Sequence, residues 1–160
     1  LNLLVTNQIP EDALSIIIAG PQKPLSNAEV SLLKKYVDAG GSLFVMENPL
    51  ILTEFGDSTD PLVSYLEKDW GITLNNDIIV DLSTQQPLNA VSVAYSSAHP
   101  ITQNLSANYS VILPQARSIG MAETPVTNVE SSQLITRGEK QNWDLTALQN
   151  TMTAWILKAR

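Results

Sequence analysis

A chain of 160 residues can bury one full hydrophobic core, and its balance of apolar and charged residues is that of a globular protein. The formal net charge of -7 excludes general nucleic-acid binding, because neutralising phosphates takes clustered Lys and Arg, and only Lys34 and Lys35 are adjacent here. Cysteine is absent, which excludes disulfides, thiolate metal sites and cysteine nucleophiles together.

The chain opens on Leu1 and a β-like stretch, Leu3-Leu4-Val5, with no signal-peptide pattern before it. No run approaches the roughly 18 apolar residues of a membrane span. We therefore expect residues 1–160 to be a single soluble α/β domain, excised from a longer protein whose membrane anchor lies elsewhere.

Leu14 to Ala19 is a short apolar run rich in Ile and bounded by Gly20-Pro21, the pattern of a strand buried on both faces. Pro21 and Pro24 delay the next helix. Ser26 and Glu29 then form a capping box, in which hydroxyl and carboxylate each satisfy an orphan backbone N–H. Val30, Leu33 and Val37 follow at helical spacing, and Gly40-Gly41 ends the helix. Leu43 to Met46 reads as a second buried strand, completing a right-handed β-α-β crossover with the two strands parallel.

Asp60-Pro61 predicts the start of another helix, with Leu62, Leu66 and Trp70 on its buried side and Gly71 as its stop. Strands are predicted over 77–81, 90–95, 109–113 and 132–136, with polar loops over 83–89 and 123–128. The tail from Leu145 to Lys158 is helical by pattern, since Leu148, Met152 and Ile156 fall four apart. Together these predict one three-layer α/β sandwich with a mainly parallel sheet.

In such a sheet, ligands bind beyond the carboxyl ends of the strands. Two loops occupy that position, residues 20–24 and Glu47-Asn48-Pro49. Glu47 is either a working carboxylate or a strand-end group hydrogen-bonded to nearby amides. His99 is the only histidine, so a two-histidine metal site is excluded. Ser96 and Ser97 lie near it in sequence, but no G-x-S-x-G elbow is present. His99-Pro100-Ile101-Thr102 fits a turn instead, with His or Thr as a cap. Asp77 and Asp81 leave the same side of a strand about 13 Å apart, too far for a shared metal or an acid/base pair. Neither glycine-rich phosphate cradle occurs, so no nucleotide is expected and no cofactor is implied.

Several segments in order resemble one family, the auxiliary components of uncharacterised ABC-type transport systems, including those of gliding motility. The carrying residues are Ile9-Pro10, Gly20-Pro21, Lys23-Pro24-Leu25-Ser26 and Tyr36-Val37-Asp38-Ala39-Gly40-Gly41. Gly71-Ile72, 77–81, His99-Pro100-Ile101-Thr102, 113–118, 134–137 and Trp143 continue the series. The resemblance implies a flavodoxin-like or class I glutamine-amidotransferase-like sandwich. It also implies a bacterial, membrane-associated protein whose soluble domain is extracytoplasmic, with ABC permease and ATPase subunits as partners. Without cysteine, an amidotransferase activity is not inherited.

The functional expectation is a non-catalytic transport accessory domain that binds a partner or ligand, with Glu47, Asn48, His99 and Arg117 as candidate ligand-binding residues. One alternative is an extracytoplasmic carbohydrate-binding module, for which Trp143 and Tyr95 supply aromatic faces. The other is a hydrolase using Glu47 or His99. Convergence of the four residues on one pocket would separate a ligand site from a scaffold.

Overall fold

The computed structural model describes residues 2–92, 94–105 and 108–136, and the backbone alone of 154–159. The backbone forms two compact units, Leu1–Tyr65 and Leu66–Arg160.

The first unit opens with a one-turn helix, α1 (Leu3–Thr6), where the sequence reads as β-like. Asparagines at both ends cause the difference. The Asn2 side chain accepts from the Val5 N–H at 3.2 Å, and Asn7, at φ 50°, returns its own N–H to the Leu3 carbonyl at 2.9 Å. Short amide side chains that bond locally and tolerate the left-handed region favour such a turn over a strand.

Strand β1 (Ser15–Ala19), helix α2 (Asn27–Asp38) and strand β2 (Ser42–Met46) follow as the spacing predicts. The strands are parallel neighbours, in a register that pairs Ile16 with Leu43, Ile17 with Phe44 and Ile18 with Val45. The capping box at the start of α2 is complete. Glu29 accepts from the Ser26 N–H at 2.8 Å, and the Glu29 N–H donates to the Ser26 hydroxyl at 3.3 Å. Val30 and Leu33 are the buried residues of α2, which packs against β2.

At the far end of α2, Gly40 takes φ 98° and the Gly41 N–H donates to the Tyr36 carbonyl at 3.0 Å. Gly41 is needed for room: a Cβ there would lie 2.3 Å from the Tyr36 ring. That ring is tethered by its hydroxyl, which donates to the Ala13 carbonyl at 3.1 Å.

Helix α3 (Pro61–Trp70) begins where expected, with the Leu62 N–H donating to Asp60 at 2.9 Å, and stops at Gly71, at φ 69°. Leu62, Tyr65 and Leu66 are buried.

The second unit departs from the predicted architecture. Strand β3 (Ile72–Leu74) pairs with β7 (Ile119–Met121), and β4 (Asn89–Ser92) pairs with β6 (Val111–Pro114). Strand β5 (Ala94–Tyr95) pairs with β8 (Val129–Thr136), which also pairs with β9 (Ala154–Ala159). Every one of these pairings is antiparallel.

The expected three-layer sandwich with a mainly parallel sheet, flavodoxin-like or amidotransferase-like, is therefore corrected to small, mostly antiparallel sheets with few helices. The physical reason is the connections. A parallel pair needs a crossover of a dozen or more residues, usually a helix, and residues 75–136 contain turns and no helix among those described.

Three predicted elements change with it. Residues 77–81 belong to no strand: Asp77 and Asp81 accept from amides of other segments, and the backbone makes isolated bonds to Ala116 and Pro87 in place of a regular ladder. Residues 90–95 divide between two sheets. The tail predicted as helix forms strand β9 over 154–159, hydrogen-bonded to β8, and 145–153 lie outside the described residues. Ile79 and Ala90, with Leu113 and Ala116 against them, form the local core of this unit. Among the described residues no helix is long and apolar enough to cross a membrane.

Two stability measurements check this account of the first unit. Ser26→Ala should lower the free energy of unfolding by about 1 kcal/mol in chemical denaturation, the usual loss for an N-cap hydroxyl. Gly41→Ala should cost about 1–3 kcal/mol by overpacking against the tethered Tyr36 ring. Equal midpoints for either variant and the parent would contradict the geometry described.

Candidate functional site

At the carboxyl ends of β1 and β2, where an α/β enzyme places its chemistry, the two loops close on each other. The Gly20 N–H donates to the Met46 carbonyl at 2.7 Å, and the Glu54 N–H donates to the Gln22 carbonyl at 2.9 Å. Asn48 lies against the backbone of Gly20, so close that a Cβ on Gly20 would come within 3.0 Å of the Asn48 amide nitrogen. Gly20 also holds φ 58°, and both constraints call for glycine.

Pro49 and Phe55 are buried, and both Glu47 carboxylate oxygens are withdrawn from solvent. Between Pro49 and Phe55 the chain makes a single 3-10 turn over Leu50–Leu52, closed by the Thr53 hydroxyl donating to the Leu50 carbonyl at 2.8 Å. At the strand ends the two loops are thus bonded to each other, with the Asn48 side chain on Gly20.

His99 and Arg117 lie in the second unit. His99 turns the chain. Its Nδ1 accepts from the Ile101 N–H at 3.3 Å, and its carbonyl accepts from the N–H groups of Thr102 and Gln103. The buried Thr102 hydroxyl fastens the same turn by donating to the Ser96 carbonyl at 2.7 Å.

Arg117 is buried, and it binds backbone. Its Nε donates to the Asn75 carbonyl and an Nη to the Leu74 carbonyl, each at 2.8 Å. Next to it, Ser118 donates its N–H and hydroxyl to the two oxygens of Asp77 at 2.8 and 2.7 Å. Asp81 accepts from the Ser83 amide and hydroxyl and from the Val91 N–H. These carboxylates and the guanidinium tie loops to strands. Among the described residues, no group of three or more His, Asp or Glu is placed to hold a metal ion.

The open surface lies elsewhere. On the β1–β2 pair, alternate residues are exposed, and Ile17, Phe44 and Met46 are 61%, 56% and 44% accessible. Both apolar runs read in sequence as buried on both faces, so this face escapes sequence reasoning. The one signal that points to it is the apolar run Leu50-Ile51-Leu52 in a loop, where Ile51 is 79% exposed. A shallow groove of about 560 Å³ lined by Ile9, Pro10, Leu14, Leu32 and Tyr36 lies at the opposite, amino ends of the strands.

The family model of the IFT52 GIFT domain matches residues 3–86, just over half of the chain. An intraflagellar transport protein 52 homolog from Homo sapiens is 43% identical over 65 residues, covering 40% of this chain and 14% of the human protein. The Mus musculus homolog is 42% identical over 65 residues, with the same shares covered. Each match thus spans about a seventh of the relative's length. Among solved structures, an "mmIFT52 N-terminal domain" superposes with a TM-score of 0.58 at 22% identity, covering 78% of this chain and 52% of that one.

These matches correct the expected kinship. The resemblance to ABC-type transport auxiliaries and gliding motility, drawn from short segments in order between Ile9 and Trp143, is overturned by the match of residues 3–86 to the IFT52 GIFT domain. With it fall the permease and ATPase partners, the glycan-binding alternative, and the bacterial extracytoplasmic, membrane-associated setting. The relatives are instead intraflagellar transport proteins of human and mouse.

Denaturation separates a framework role from a ligand role for the charged residues. Arg117→Ala should cost about 1–3 kcal/mol, because two backbone carbonyls lose their donors in a buried site. His99→Ala should cost less than about 1 kcal/mol, since its bond lies on a half-exposed turn. An Arg117 held in reserve for a ligand would leave stability unchanged.

Proposed function

Because this chain belongs to the IFT52 GIFT domain family, we propose that it is a non-catalytic assembly module that docks onto other proteins in intraflagellar transport. The observation that carries the reading is the contrast between two surfaces of one β-α-β unit. At the strand ends, where catalysis would sit, the loops bond to each other and Asn48 packs on Gly20, while the broad face of the strands presents apolar side chains to solvent. Apolar surface left open in this way is the mark of an interaction site. On this reading Glu47, Asn48, His99 and Arg117 are framework residues. They hold loops and turns in place, and the surfaces they brace do the binding.

Purification of the tagged chain from flagellated cells tests the proposal. Intraflagellar transport proteins should co-purify in stable proportion and co-migrate with the chain through size-exclusion chromatography. A chain that migrates alone would contradict the reading. In the same preparation, esters, amides, phosphoesters and glycosides should show no turnover above a heat-denatured control. Turnover abolished by Glu47→Gln or His99→Ala would establish an enzyme instead.

A further inference from the structure

We draw no further inference here: the strongest candidate, the shallow apolar groove lined by Ile9, Pro10, Leu14, Leu32 and Tyr36 at the amino ends of β1 and β2, carries nothing because nothing in the structure shows what covers it.

Discussion

The two strands of the first unit run in the same direction, so the chain must cross from the end of β1 back to the start of β2. Helix α2 is that crossing, and its length and ends decide where the strands lie. Ser26 and Glu29 fix its first turn, and Gly40 releases the chain at its last. Gly41 then leaves space for the Tyr36 ring, which reaches the carbonyl of Ala13 just before β1. With α2 anchored at both ends, the strands pair in the register of Ile16 with Leu43 and Ile18 with Val45. The other face of the pair carries Ile17, Phe44 and Met46, which are exposed in this chain.

Enzymes on parallel sheets use the strand ends because successive loops diverge there and leave a crevice. In this chain the loops after β1 and β2 do not diverge. Gly20 continues the ladder to Met46, Asn48 leans on Gly20, and Glu54 returns to Gln22. The second unit is braced in a related way by buried polar groups: Arg117 on the carbonyls of Leu74 and Asn75, Ser118 on Asp77, and Asp81 on Val91. Each of these bonds joins segments at least ten residues apart, and several span more than forty. Such contacts hold irregular extended chain where secondary structure is sparse.

What was legible in the sequence follows the same division. Local signals carried the first unit: a capping box, terminating glycines and an Asp-Pro helix start each act within a few residues. Long-range pairing was not legible. The partner of β3 lies more than forty residues away, and Asp77 and Asp81 looked like strand ends because Ser118 and Val91, whose N–H groups donate to their carboxylates, stand forty-one and ten residues further on. The helical pattern of the tail yielded at 154–159 to pairing with β8, a tertiary preference that outweighs a local period. The candidate residues Glu47 and Asn48 were rightly placed at the strand ends, but periodicity could not say whether those ends were open. For Arg117, no local pattern marks a guanidinium that serves two carbonyls forty residues upstream.

The central claim is that the chain works through the open face of β1 and β2 against another polypeptide. Photo-cross-linking from a benzophenone side chain at position 44, in cells assembling the transport machinery, tests it most directly. Adducts joining position 44 to a different protein are expected, with none from a probe at the buried position 62. Adducts confined to the chain itself, or to a second copy of it, would contradict the claim.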